Sequence, residues 1–439
     1  MAIQNFPASL QPIIQQGFLE REFQDGIQSM LAYRAAATRE IFRTNIGETL
    51  TKTKPGLKAP VTTPMVSSAN TNLDNGLTPS TWTVEQYTLT LAMYGDTIDL
   101  NTVTNRVGIV NQFMQNAKTN GVQAATSIDR IARNKLFAAY MGGNTRVRTT
   151  LGAPAATINV DDVTGFKTVL VNGVPTPVSG GAPLAVTVGS NVYSLTGFTV
   201  DGSNVSTTFN GASGTLTFSG NVTVLDATAG NAIVSSFAPT ILRPSGRSTT
   251  AALVGTDLFT MGIALDAVAL LRRNGVPAIN GLYNCHLDPV SSRQLFADPD
   301  FKVLFQGQSA SQEFRMGRVI ELLDLRFIPT TEAPVQVHPS IAGLNVRRPI
   351  ICGEGSLIEG QFEGIGESDT ARGDSHVDIV DGIAQVTREP LDRLQQIIGQ
   401  SWYWIGDFCA PTDFTVNASI VPSASAAYFK RAVVAECCG

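Results

Sequence analysis

Residues 105–140 read NRVGIVNQFMQNAKTNGVQAATSIDRIARNKLFAAY, and the fold is decided there. Val110, Phe113, Met114, Ala117, Val122, Ala125, Ile128, Ile131, Ala132, Leu136 and Phe137 form one apolar stripe at helical spacing. A helix of about 35 residues runs roughly 50 Å at about 1.5 Å per residue, which is long for a globular domain. The stretch is therefore predicted to be a spine against which other elements pack. Gly121 is expected to loosen its middle.

Upstream, residues 82–100 carry strand periodicity, with Tyr87, Leu89, Leu91 and Met93 alternating with Thr88, Thr90 and Ala92. They follow a segment, 45–80, in which Pro55, Pro60, Pro64 and Pro79 forbid a continuous helix and core residues are few. Loops of that length are uncommon inside a compact domain unless they function or reach elsewhere. A long loop returning on a strong strand predicts an extended two-stranded arm projecting from the body. Earlier still, Leu19, Phe23, Ile27, Met30 and Leu31 recur at helical spacing, so 18–42 is predicted to be helical. That helix is either an arm packed on a neighbour or an amphipathic core helix.

Downstream, residues 149–242 are poor in charge, with Asp161, Asp162, Lys167, Asp201 and Asp226. Short alternating runs such as Leu184-Ala185-Val186-Thr187-Val188 and Thr215-Leu216-Thr217-Phe218 are punctuated by Asn172-Gly173, Asp201-Gly202, Asn210-Gly211 and Ser219-Gly220. Asn-Gly and Asp-Gly between such runs are strong hairpin signals, so a small all-β sandwich or barrel is expected, inserted into a host domain. Mixed character resumes at Asp257, with a helix through Leu258, Met261, Leu265, Val268 and Leu271 that ends at Arg272-Arg273-Asn274-Gly275. Strands are predicted at 283–287, 319–329, 335–338, 379–386 and 396–408, and 410–439 reads as a mixed tail.

The 439 residues are 43% hydrophobic and only 15% charged, with a net charge of −5. A charge-poor chain implies that much of its surface is covered by other chains. The acidic balance argues against a dedicated nucleic-acid binder, but it suits a container that must not grip its cargo. The five cysteines, Cys285, Cys352, Cys409, Cys437 and Cys438, show no CxxC spacing. Cys437 and Cys438 could bind metal or cross-link chains, but they read as a free, reduced tail. Residues 1–10 lack a basic and apolar leader pattern, and no apolar run has membrane-spanning length, so a cytoplasmic, non-membrane product is expected.

Catalytic chemistry is not evident. His286 lies beside Cys285 and Asp288, so a nucleophile–base pair or metal site can be drawn, yet a structural role at a strand end is the simpler reading; His338 and His376 are far away in sequence. No phosphate-binding loop, HExxH, GxSxG or dinucleotide fingerprint is present. Gly353, Gly355, Gly360, Gly364 and Gly366 are interleaved with Glu354, Glu359, Glu363 and Glu367, which would repel phosphate. Neither catalytic residues, nor a cofactor, nor a metal is expected. The main basic clusters are Lys52, Lys54 and Lys58, and Arg146 and Arg148. They form either a solvated face or inter-subunit ion pairs with the acidic segment 354–369.

The order of parts (N-terminal arm, long loop returning on a strand, spine helix, β insertion, α/β domain, terminal strands) resembles the major capsid protein family of tailed bacteriophages, whose fold is shared with encapsulin shells. Locally, Asn274-Gly275-Val276-Pro277 leading to Tyr283 and His286-Leu287-Asp288-Pro289 resembles the axial-domain passage of such coats. Arg388-Glu389-Pro390-Leu391-Asp392 followed by Gly399-Gln400-Ser401-Trp402 resembles a late strand there. The resemblance implies an α+β, Hong Kong 97-like capsid fold with an inserted all-β domain. Its parts would be an N-terminal arm (1–44), an E-loop (45–100), a P-domain with the spine helix (101–148), the inserted β domain (149–247), an A-domain (248–375) and terminal strands (376–439).

By the same resemblance the chain would assemble with itself as pentamers and hexamers into an icosahedral shell around double-stranded DNA, in a bacterial host cytoplasm. DNA contact would be weak and non-specific, and portal, scaffolding and decoration proteins are candidate further partners. The E-loop residues expected to contact the neighbour are Lys52, Lys54, Leu57, Lys58, Val61, Met65 and Val66. Two other readings stand beside this one. One is an encapsulin-like nanocompartment shell. The other is a β-rich carbohydrate-binding or adhesion protein centred on 149–242, which leaves the spine helix and loop unexplained and lacks paired carboxylates in an aromatic setting.

Overall fold

The computed structural model describes residues 32–43, 47–62, 82, 84–101, 112–202, 206–306, 321–363, 375–388, 396–413 and 420–439. Its long helix is Gln112–Met141, 30 residues, or about 45 Å. Ala117, Ala125, Ile128, Ala132, Leu136 and Phe137 of the expected stripe are fully buried, and the helix continues unbroken through Gly121. Residues 105–111 of the expected helix lie outside the described residues.

The chain divides into two compact units. The first comprises Met1–Leu50, Thr88–Arg133 and Leu357–Cys409. Its sheet runs in the order Ala37–Phe42, Leu357–Phe362, Ile397–Cys409, Ile383–Arg388, Ser375–Val380, with Ala92–Asn101 also paired to Ile397–Cys409. The 13-residue Ile397–Cys409 is the central strand. One stretch of it pairs antiparallel with Ala92–Asn101, and parts of it pair with each of two others. The long helix is tied to this sheet by polar contacts. Asn120 donates to the carbonyl of Gln400 (3.2 Å), Trp402 Nε1 donates to Gln123 Oε1 (3.2 Å), and Gln123 Nε2 donates to Asp96 (2.6 Å).

Three readings of this unit need correcting. Residues 37–42, expected to be helical, form a strand paired in parallel with Leu357–Phe362, residue for residue from Ala37↔Leu357 to Phe42↔Phe362. Of the rest of the expected N-terminal helix, Arg34–Ala36 forms a short 3-10 helix and 18–31 lies outside the described residues. The expected single strand over 82–100 is two strands, Val84–Thr90 and Ala92–Asn101, with different partners. The expected strand over 379–386 is a hairpin, because Asp381 (φ 51°) and Gly382 (φ 78°) form a two-residue turn between Val380 and Ile383. Two successive positive φ values match the right-handed twist of the strands they join.

A buried ion network closes this unit. Arg34 meets Glu359 through Nη2 (2.6 Å) and Nε (3.0 Å), and reaches Asp381 through Nη1 (2.9 Å). The short helix carrying Arg34 is held at its start by Asp129 of the long helix, which accepts from the amides of Tyr33 (2.7 Å) and Arg34 (2.9 Å).

The second unit comprises Thr51–Tyr87, Asn134–Ser356 and Ala410–Gly439. Within it, six antiparallel strands run in the order Asn144–Arg146, Ala232–Ser235, Leu184–Val188, Asn191–Val200, Gly214–Val222, Ala155–Val160. The two outer strands also meet, since Arg148 N donates to the carbonyl of Asn159 (2.9 Å) and Val147 bridges Val160. The sheet thereby curls on itself around Val186, Val188, Leu195, Leu216, Phe218 and Ile158. Asn144 donates to the carbonyl of Pro239 (3.0 Å), so the entry and exit of this β segment lie together.

A second sheet runs Ile241–Leu242, Ala432–Ala435, Ile350–Cys352, Tyr283–Leu287, Leu325–Pro329, Glu321–Leu322. The helix Met261–Arg273 buries Met261, Ala264, Ala267, Val268 and Leu271 in the core that this sheet shares. It ends on Asn274, with Gly275 at φ 70°. Cys437–Cys438 are buried in a small sheet with Val335–Val337 and Asn345–Arg347, so the C-terminus is core structure rather than a loose tail.

Candidate assembly surface

The segment between residues 47 and 101 has the sequence of a ribbon before it has its geometry. In Thr49–Pro55, Thr alternates with Leu50, Lys52 and Lys54, and the β-branched residues favour extended backbone. Proline at the end contributes no donor to a ladder. Thr49–Pro55 pairs with Val84–Thr90 as a separate two-stranded sheet.

The far end of this ribbon rests on its own chain. Lys54 pairs with Asp413, and Asp413 also accepts from Arg431 Nε (3.1 Å). Burial works to raise the Asp413 carboxyl, but Arg431 and Lys54 beside it outweigh burial and hold it below the ordinary carboxylate range. Lys430, close by, is pulled down by burial against the attraction of Asp413 and Glu85. A cavity of about 240 Å³ lies here, lined among others by Lys54, Leu57, Glu85, Val276, Asp413 and Lys430.

The seven expected contact residues separate accordingly. Lys54 faces Asp413 of its own chain, and Lys52 is half-buried on the strand. Leu57 is 60% exposed, Val61 88% exposed, and Lys58 is exposed. Met65 and Val66 lie outside the described residues. Trp82, which sequence reasoning passed over, is 53% exposed at the return of the loop. Three large apolar side chains of one loop are thus left in water. Of the basic and acidic segments expected to pair, Arg146 and Arg148 both meet Asp161 (2.7 and 3.3 Å) within the β segment. Residues 364–369 of the acidic stretch are outside the described residues.

The residues singled out for chemistry are placed as structure. His286 is fully buried on a strand whose five side chains are all buried, and burial pushes it down to about 4. Asp288 caps the helix Pro289–Ala297 through the amides of Val290 and Ser291 and receives Arg347 Nη1 (2.6 Å). Burial pushes the Cys285 thiol up, and those of Cys352 and Cys437 up to about 12, so none is poised as a thiolate. All five cysteines are free. Among the described residues, no group of three or more His, Cys, Asp or Glu side chains is placed to hold a metal ion. No helix among them is long and apolar enough to cross a membrane.

No family model matches the chain, and no curated protein matches it. Solved phage capsids do. The capsid of Ralstonia phage GP4 is similar over 92% of this chain and 88% of its own, at 9% identity and a TM-score of 0.48. The capsid of cyanophage P-SCSP1u is similar over 92% of this chain and 87% of its own, at 10% identity and a TM-score of 0.47. The head of Helicobacter pylori bacteriophage KHP40 is similar over 93% of this chain and 91% of its own, at 9% identity and a TM-score of 0.42.

Proposed function

We propose that the chain is the major shell subunit of a tailed phage, self-assembling as pentamers and hexamers into an icosahedral capsid around double-stranded DNA. The observation that carries this is the ribbon Thr49–Pro55/Val84–Thr90 with Leu57, Val61 and Trp82 exposed on the loop that it supports. Large apolar side chains left exposed on a charge-poor chain favour cover by another protein surface. A closed shell supplies that cover at every position from copies of the same chain.

In this reading the ribbon and its loop are the E-loop, and Gln112–Met141 is the spine of the P-domain. The β segment between Asn144 and Ser235 is an inserted domain, and the sheet containing Tyr283–Leu287 belongs to the A-domain. The meeting of Asn144 with Pro239 supports the insertion, since an inserted domain needs adjacent ends. The role is structural, and the buried positions of His286, Cys285, Cys352, Cys437 and Cys438 fit that reading.

Electron microscopy and sedimentation of the purified protein test the proposal. Closed particles containing pentameric and hexameric rings are expected. A monodisperse monomer or dimer across salt and pH would overturn it. Particles that carry a cargo enzyme in place of DNA would select the encapsulin-like reading.

A further inference from the structure

We infer that the small hairpin of the β segment, Thr168–Val171 with Val174–Pro177, is a brace that fixes the far end of the ribbon, so that free reach begins only at Gly56. Only the purpose of the brace, presenting an assembly loop, rests on the reading proposed above.

Three observations converge on it. At the hairpin's tip, Asn172 (φ 52°) and Gly173 (φ 83°) form a two-residue turn joining Val171 to Val174. The carbonyl of Gly173 accepts from the amide of Gln86 in the ribbon (3.2 Å). The approach is close enough that a Cβ on Gly173 would lie 2.4 Å from the carbonyl oxygen of Val84. Only glycine tolerates both that backbone and that distance.

The opposite strand of the ribbon is held separately, by Lys54 on Asp413. The two anchors are themselves joined through Tyr428. Its carbonyl accepts from the amide of Asp413 (2.7 Å), its hydroxyl accepts from the amide of Leu170 in the hairpin (3.4 Å), and its ring stacks on Phe237 at 4.2 Å. Each strand of the ribbon is therefore pinned by a different segment, and the two pins share one aromatic post. A two-stranded ribbon is marginal by itself, so these contacts decide whether it is ordered.

The test is amide exchange on the full chain, in Gly173→Val and in Gln86→Pro. The valine acts from the hairpin side by steric contact. The proline acts from the ribbon side, where the Gln86 amide is given to Gly173, and removes the donor without touching the β segment. Exchange of the amides of residues 84, 85, 87 and 51–54 is expected to rise about tenfold in both variants, with the amide of 86 read in Gly173→Val alone. The strand Leu184–Val188 should keep its protection. Asn172→Gly, which keeps the turn, should match the parent. If Gly173→Val also unfolds the β segment, Gln86→Pro decides alone. Unchanged ribbon exchange in Gln86→Pro would overturn the brace. Because exchange is read on the unassembled chain, that failure is distinct from a failure to form particles.

Discussion

Removing the charge of Glu436 should cost the second unit about 3 kcal/mol at neutral pH, and the cost should fade in acid. Glu436 is fully buried between Arg348 (Nε, 2.9 Å), whose side chain is also fully buried, and Arg243 (Nε, 2.7 Å). Thr250 Oγ1 adds a hydrogen bond at 2.9 Å. Nη1 and Nη2 of Arg348 have no hydrogen-bond partner among the described residues, so its charge is balanced chiefly at Nε. At 2.9 Å and an effective dielectric of about 20, the gross attraction is about 6 kcal/mol, and stranding a buried partner typically costs about 3–5 kcal/mol.

The titration gives a similar figure. Burial works to raise the Glu436 carboxyl, but Arg243 and Arg348 outweigh it and bring it from 4.5 to about 2, equivalent to about 3 kcal/mol. Because the folded value lies below the unfolded one, this stability is complete above pH 4.5 and is lost as pH falls toward about 2. Glu436→Gln should therefore accelerate exchange of the amides in Ala432–Ala435 and Ile350–Cys352 about a hundredfold at pH 7. The gap from the parent should narrow between pH 4.5 and about 2. Trp402 and Trp404 lie in the other unit, so their fluorescence is an internal control. An acceleration of less than about fivefold, or a gap that stays constant into acid, would refute the reasoning.

Other outcomes follow from single side chains. Leu57→Asp or Val61→Asp should change subunit stability by less than about 0.5 kcal/mol, because both are exposed, while sedimentation shows loss of particles; parental particle yield would argue against the role given to the loop. Arg34→Met leaves the buried Glu359 with only the longer contact to Arg39 Nε (3.5 Å) and should destabilise the first unit by about 3 kcal/mol, read as a lower urea midpoint of Trp402 and Trp404 fluorescence. A midpoint within about 0.5 kcal/mol of the parent would mean that Arg34 is dispensable there.

The long helix was legible because its apolar spacing is local, needing only residues three and four apart. Its polar anchors were not. Asn120 finds the carbonyl of Gln400 and Asp129 finds the amides of Tyr33 and Arg34, each close to a hundred positions away or more. Ala37–Phe42 reads locally as a continuation of a helix and becomes a strand only because Leu357–Phe362 offers it a parallel partner. The Asp381-Gly382 turn is a different kind of miss, since the dipeptide between apolar runs was in view and signals a hairpin. At the candidate surface, the extended character of 49–55 was readable from its threonines and proline. Its attachment was not, because Asp413 lies 359 positions from Lys54.

A chain with 15% charged residues must place them carefully, and this one puts several of them inside. Arg34, Asp129, Asp288, Asp298, Arg348, Glu359, Lys430 and Glu436 are all buried, and the ion pairs of Arg34 with Glu359 and of Arg348 with Glu436 join residues distant in sequence. Each such group left in the interior is one fewer on the outside, so the surface is poorer in charge than the composition suggests. Large apolar side chains occupy part of that surface: Val61, Met93, Val192, Leu225, Val303 and Val337 are all more than two-thirds exposed. Surface charge normally keeps subunits apart, and buried ion pairs add little net stability over apolar packing. Charges buried in matched networks penalise every conformation that leaves one unmatched, while a charge-poor, apolar exterior lowers the barrier to contact between copies. Both properties suit a subunit that must hold its own shape first and then be covered by identical neighbours.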